Sequence, residues 1–310
     1  MKIYKIQFKA LSPLHIGYGR KIGIINQTRY YIMGKNMWGA LTAQLARRIM
    51  NNYSKEIYEE AGKFVRENLI FTNFYPVINN QVCLPQFRPK GIFYGDYSEG
   101  QDAYSKYEFE SLILDSYTST ALQMKSAEEG SLHEIEFLKN RVNGQDVLFE
   151  GYLLAKGEIS SDGQNIVYAG EPHSISEVLK NIEVGGERKY GFGRLELNNG
   201  IGNGSDTSLW GFSIENEQIN IPAESCSPFH VRIENPFRFI GDIEPLVGKE
   251  WENEKGADKA GTGQKVLHHA VCLIPGSQIK ENIKLKIECY GIGGGSPPLA
   301  GGRGKMALTD

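Results

Sequence analysis

The chain has 310 residues, 40% hydrophobic and 23% charged, with a formal net charge of -3, enough for a substantial core divided between two domains. No apolar run approaches the roughly 20 residues of a membrane-spanning helix, which excludes that class of membrane protein. Four widely separated cysteines (Cys83, Cys226, Cys272 and Cys289) lack metal-ligand spacing and read as reduced, mostly buried thiols of a cytoplasmic protein.

The near-neutral total conceals an asymmetry. Residues 1 to 55 carry ten Lys or Arg and no acid, which leaves 24 basic and 37 acidic residues, a net of -13, over the rest. A basic segment joined to an acidic remainder fits a face that meets a polyanion.

In chain order, residues 2 to 10 alternate as a strand, with Tyr4, Ile6, Phe8 and Ala10 on one face. Because Met1-Lys2-Ile3-Tyr4-Lys5 already alternates, no signal-peptide pattern is expected at the start. Leu11 to Lys21, rich in Pro and Gly, reads as a loop, and an extended segment around Thr28 to Met33 follows. Asn36 is placed to cap a helix in which Met37, Trp38, Leu41, Leu45 and Ile49 share a face. Arg47 and Arg48 lie where that helix's dipole favours cations. Strands are predicted at 69–75, 132–138 and 147–156, with a polar, tyrosine-rich insertion near 87–129.

Ser174 and Glu177 form a capping-box pattern ahead of Ile175, Val178, Leu179 and Ile182, a helix expected to end at Gly185 and Gly186. Then comes the most informative stretch, Gly185-Gly186-Glu187-Arg188-Lys189-Tyr190-Gly191-Phe192-Gly193-Arg194. Its glycines permit tight turning and close approach of a ligand. Its amides favour anions, its three cations add charge, and Tyr190 and Phe192 offer stacking faces. Glycines that follow a helix are the reverse of a P-loop, and no G-x-x-x-x-G-K-[ST] run occurs. A strand near 192–197 completes a β-α-β-β-α-β order, so the fold class is α+β, with a ferredoxin-like domain of RNA-recognition-motif topology over 1–200. The aromatic strand signature of that motif is absent, so RNA would be bound by loops.

Asn198 to Ser208, rich in Gly, Asn and Ser, marks a domain boundary. Residues 201–310 read as a β-rich C-terminal domain, compatible with a degenerate copy of the first, ending in a glycine-rich tail from Gly291 onward. A second glycine loop in the equivalent place is the alternative to a tail.

Four pieces together resemble the RAMP superfamily of CRISPR-associated proteins: Ser12-Pro13-Leu14-His15-Ile16-Gly17, the helix start Gly34-Lys35-Asn36-Met37-Trp38-Gly39-Ala40-Leu41, Gly130-Ser131-Leu132-His133-Glu134-Ile135-Glu136, and the loop Gly185 to Gly193. The resemblance covers about residues 1–200. It implies a cytoplasmic antiviral type III effector complex, in which this chain is similar to the subunit that grips the 5′ handle of guide RNA beside other subunits.

On that reading the chain is a non-catalytic RNA-binding subunit that needs no cofactor or metal. Phosphate contacts are expected from Lys9, Arg20, Lys21, Arg29, Arg188, Lys189 and Arg194, and further contacts from His15, Tyr190 and the backbone at Gly185, Gly186, Gly191 and Gly193. Two alternatives stand beside it. One is an endoribonuclease processing precursor guide RNA with His15 as acid or base, helped by Arg20 or Lys21. The other is a backbone subunit cutting target RNA through a loop aspartate, Asp96. Glu128, Glu129, Glu134 and Glu136 read as solvated charge rather than a metal site. A purely structural subunit whose glycine loop touches only protein is the third class.

Overall fold

The structure is a computed structural model that describes residues 1–49, 55–96, 103–123, 126–127, 130–157, 160, 163–202, 204–233, 237–252, 261–288 and 292–296. It is α+β, dominated by strands with few helices.

The alternation at the start becomes β1, Lys2–Ala10, with Tyr4, Ile6, Phe8 and Ala10 buried. β2 (Gly17–Ile22) and β3 (Ile25–Thr28) form a hairpin. α1, Gly34–Ile49, starts two residues before the predicted cap at Asn36, and α2, Lys55–Asn68, packs beside it. Both helices present an apolar stripe: Met37, Leu41 and Leu45 from α1, and Ala61 and Val65 from α2, are buried. Three short strands follow: β4 (Leu69–Phe71), β5 (Tyr75–Ile78) and β6 (Gln81–Val82).

The predicted insertion has structure of its own. β7 (Pro85–Arg88), β8 (Gly91–Tyr94) and β9 (Tyr104–Ser105) make a three-stranded sheet. α3, Lys106–Ile113, starts at a full capping box between Ser105 and Glu108, which satisfies amides the helix itself cannot. After β10 (Leu114–Ser119) come β11 (Leu122–Gln123), β12 (Ser126–Ala127) and β13 (His133–Leu138). β10 and β13 join the first hairpin in a sheet ordered β10-β13-β3-β2, with β13 and β3 parallel. The small hairpin β14 (Arg141–Val142) and β15 (Gln145–Asp146) then leads into β16, Leu148–Ala155.

Beyond β16 lie β17 (Asn165–Tyr168), β18 (Glu171–Ser174), α4 (Ile175–Leu179), β19 (Asn181–Glu183) and β20 (Arg194–Asn198). The central sheet is ordered β19-β20-β1-β16-β5-β6, with β4 also on β16. Every pairing in it is antiparallel. Phe8 faces Phe149 across one side and Leu197 across the other.

β16 is nearly all apolar because both of its faces are covered. Phe149, Leu153 and Ala155 belong to the core beneath the helices. Tyr152 and Leu154 belong to a second core, with Leu209, Ile219, Phe229 and Leu285 of the C-terminal region. Such a strand loses the alternation that a half-solvated sheet would show.

The C-terminal region is a sheet ordered Ser208–Leu209, Phe212–Glu215, Gln218–Ile221, Ile283–Ile287, Ile292–Ser296, His230–Arg232, Gly261–Leu273 and Ile243–Glu252. Ile292–Ser296, read from the sequence as part of a glycine-rich tail, is a strand: it pairs antiparallel with Ile283–Ile287 and parallel with His230–Arg232. The rest of the expected tail, 297–310, lies outside the described residues.

Candidate nucleic-acid interface

The spacing of Ile175, Val178, Leu179 and Ile182 predicts one continuous helix, but α4 stops at Leu179. Ser174 does cap it, its Oγ accepting from the Glu177 amide at 3.4 Å. Ile182 is instead buried as a strand residue opposite Leu195, and Glu183 faces Arg194. The glycine stretch is therefore the loop of a hairpin between β19 and β20 rather than the terminus of a helix.

That loop is bonded to the first loop of the chain. Gly186 N–H donates to the His15 carbonyl at 2.9 Å, and Gly193 N–H to the Pro13 carbonyl at 2.8 Å. Arg194 N–H donates to Ser12 Oγ at 3.0 Å, and Val184 N–H to the Gly193 carbonyl at 2.9 Å. Two glycines are required by this stitching. Gly185 and Gly193 have φ of +76° and +88°, and a Cβ at either would overlap a carbonyl oxygen, that of His15 or Val184 respectively. Gly191 has φ +85° but open space around it. The amides of Gly186 and Gly193 are thus spent on protein carbonyls and do not contribute to an anion-binding concavity.

The tip of the loop is different. Glu187 is left-handed at φ 55°, and Arg188–Tyr190 form a single 3-10 turn closed by Gly191 N–H onto the Arg188 carbonyl at 3.0 Å. Arg188, Lys189 and Arg194 are exposed, and Tyr190 is 70% exposed. Among the described residues no ion pair or side-chain hydrogen bond engages these three cations. Phe192 does not share that exposure: its ring packs edge-on against Phe137, with centroids 5.4 Å apart at 76°. Tyr190 is the free ring of the loop.

Other predicted contacts fall elsewhere. His15 is 8% exposed, with Nδ1 2.7 Å from the Glu136 carbonyl oxygen, so it lies beneath the glycine loop. Lys9 pairs with Asp146 at 2.5 Å, an acid that also takes Arg141 at 3.0 Å. Those hydrogen bonds from Lys9 and Arg141 lower the Asp146 carboxyl from its ordinary value. Arg29 is 5% exposed and grips Glu244 with two nitrogens, at 2.8 and 2.7 Å. Arg20 and Lys21 sit on β2, but their side chains lie outside what is described. Asp96 is exposed just after β8. Glu136 accepts the Thr28 amide at 2.9 Å, and Glu128 and Glu129 lie outside the described residues. Among the described residues no group of three or more His, Cys, Asp or Glu is placed to hold a metal ion.

Glu244 anchors a buried network that the sequence did not announce, because its partners lie 14 and 215 positions away. His230 Nε2 is 2.8 Å from Glu244 and 3.1 Å from the Tyr31 hydroxyl. Burial alone would raise the Glu244 carboxyl, but hydrogen bonds from His230 and Arg29, with the charge of Arg29, bring it down to about 2. Burial lowers His230 below its usual value despite Glu244.

No family model and no curated protein matches the chain by sequence. Among solved structures it is similar to a chain of the type III-B Cmr-beta complex bound to cognate target RNA and AMPPnP, by cryo-EM, with a TM-score of 0.49 at 13% identity over 89% of this chain and 86% of that one. It is similar to a CRISPR protein from Archaeoglobus fulgidus, with a TM-score of 0.38 at 12% identity over 92% and 94%. It also resembles oligomeric Cmr4 from Pyrococcus furiosus, with a TM-score of 0.30 at 13% identity over 65% and 99%.

Proposed function

We propose that this chain is a non-catalytic RNA-binding subunit of a type III CRISPR effector complex, holding the 5′ handle of guide RNA in the cytoplasm beside other subunits. The observation that carries the proposal is the tip of the glycine loop: three exposed cations without ion pairs among the described residues, beside one exposed ring, on a backbone bonded to a second loop. Lysines and arginines left unpaired on a rigid turn are suited to phosphates, and an exposed tyrosine to an unstacked base. The motifs shared with the RAMP superfamily supply the guide RNA and the complex as context. The ferredoxin-like reading of residues 1–200 is supported by strand order: in the series β1, β4 with β5, β16, β20, the spatial sequence is fourth, first, third, second.

On this reading the contact set is Arg188, Lys189, Tyr190 and Arg194, together with Arg20 and Lys21 of β2, which the charge of the N-terminal segment recommends. Lys9 and Arg29 are occupied by carboxylates, and His15 acts by carrying the loop through its carbonyl. An enclosed imidazole held by a backbone carbonyl is poorly placed for proton transfer to a scissile phosphate, which counts against the nuclease alternative. Incubation of the pure protein with labelled repeat RNA tests the proposal. Retention without cleavage is expected. Cleavage abolished by His15→Ala would replace the proposal with an endoribonuclease, and neither retention nor cleavage would leave a protein-contacting structural subunit.

A further inference from the structure

A cavity of about 430 Å³ lies between the first hairpin, the three-stranded sheet and the C-terminal region. It is separate from the glycine loop. Its walls carry the rings of Tyr18, Tyr30, Tyr31, Tyr94 and Phe87. Tyr94 stacks on Phe109 behind it, at 4.1 Å and 9°, and Tyr30 meets the edge of Tyr94 at 6.0 Å, so these walls are braced. The Tyr30 hydroxyl is bonded to Glu110.

Two polar groups in this wall lack partners. Arg29 lines the cavity, and although its terminal nitrogens hold Glu244, its buried Nε has no hydrogen-bond partner. Tyr94 is 6% exposed, and among the described residues no hydrogen bond engages its hydroxyl. Hydroxyls in a wall of this kind are normally satisfied, so the unpartnered hydroxyl of Tyr94, which lines the cavity, is available to a ligand. Lys106, 57% exposed, is the solvent-facing cation of the lining; its pair with Glu110, at 3.6 Å and exposed, is weak enough for an incoming anion to compete with. Flat aromatic walls, inner hydrogen-bonding groups and an outer cation together suit a planar heteroaromatic ring with an anionic tail.

We infer that this cavity binds a single nucleotide, its base between the aromatic walls and its phosphate toward Lys106. Burial, reinforced by Glu110, raises the phenols of Tyr30 and Tyr94 well above the usual tyrosine value, so both stay protonated: Tyr30 gives its proton to Glu110, and Tyr94 keeps its own to donate to a ligand. The nucleotide can be free or an unpaired residue of a strand that passes over the neighbouring glycine loop. Thr28, which lines the cavity, binds the Ile16 amide at 2.9 Å, one residue from His15 under that loop. The inference does not depend on the loop gripping RNA.

Saturation-transfer NMR and equilibrium dialysis of the full chain against AMP, UMP, adenosine and inorganic phosphate provide the test. AMP or UMP is expected to saturate one site, and adenosine to bind about tenfold more weakly for want of the charge-assisted contact. Lys106→Glu, at an exposed position, should weaken the mononucleotide about tenfold and leave adenosine unchanged. Phe87→Ala should weaken both by about tenfold, the effect of one lost stacking face. A short single-stranded RNA that displaces AMP identifies the source as a strand; simultaneous binding of both identifies free nucleotide. Either result supports the site. Absence of saturable mononucleotide binding would overturn the inference, as would affinities that neither variant changes.

Discussion

Replacing Glu244 with Gln tests the buried link between the N-terminal strands and the C-terminal sheet. Glutamine keeps the shape and one acceptor oxygen but removes the charge, leaving the Arg29 guanidinium unpaired at a site where both side chains are 5% exposed. Removing one partner of a buried ion pair costs about 3–5 kcal/mol, because the remaining charge stays desolvated. The depressed carboxyl points the same way. A fall from 4.5 to about 2 on folding corresponds to about 3–4 kcal/mol at about 1.4 kcal/mol per unit. The two routes agree, so we expect Glu244→Gln to lower stability by about 3 kcal/mol at neutral pH.

The pH dependence supplies a second reading of the same quantity. A carboxyl depressed in the folded state contributes its full stabilisation above 4.5, and loses it as the pH falls from 4.5 toward about 2. Urea unfolding followed by tryptophan emission at pH 7 and pH 3 should show the parent and Glu244→Gln converging at the lower pH. A double variant, Arg29→Met with Glu244→Leu, should recover much of the loss, since no isolated charge remains. A Glu244→Gln variant within about 0.5 kcal/mol of the parent at pH 7 would refute this account, since a change of that size is typical of positions with no buried partner.

The glycine loop yields three further expectations. Gly193→Ala should destabilise the protein more than Gly191→Ala: both carry the cost of a left-handed residue, about 1–2 kcal/mol, but only the former drives a Cβ into the Val184 carbonyl. Thermal melts compare them, and equal losses would contradict the role given to close packing. Tyr190→Ala should weaken guide-RNA binding by about 1–3 kcal/mol with little change in melting, and Tyr190→Phe should cost little, because stacking needs the ring. Normal affinity in Tyr190→Ala refutes stacking there. Charge neutralisation of Arg188, Lys189 and Arg194 together should make the salt dependence of binding shallower by about 2, at about 0.7 per phosphate contact on a single strand; an unchanged slope removes them from the phosphate contacts.

What could be read in advance depended on whether a residue's role is local. β1 was legible because Tyr4, Ile6 and Phe8 alternate over one buried face, and the start of α4 because a cap is a contact between Ser174 and Glu177, three residues apart. The end of α4 was not. Ile182 fits the helical stripe and the strand equally well, and only its pairing with Leu195 decides. The glycine loop was recognisable as a site, yet the division of labour among its glycines was hidden. The need for a bare backbone at Gly185 comes from the His15 carbonyl, 170 residues earlier, and that at Gly193 from the Val184 carbonyl across a hairpin the sequence reads as a helix end.

The charge asymmetry shows the same limit more sharply. Ten cations without an acid in the first 55 residues suggested a single polyanion-binding face. Three of them instead find carboxylates from the acidic remainder: Lys5 with Glu150 at 2.9 Å, Lys9 with Asp146, and Arg29 with Glu244. Net charge sums the groups and is blind to pairs, so a chain whose first strands pack against later segments can carry opposite excesses in the two parts simply to hold them together. The cations that matter for a polyanion are then those the fold leaves unspent. On the glycine loop these are Arg188, Lys189 and Arg194, which lie outside the basic segment altogether, in a stretch whose overall balance is acidic.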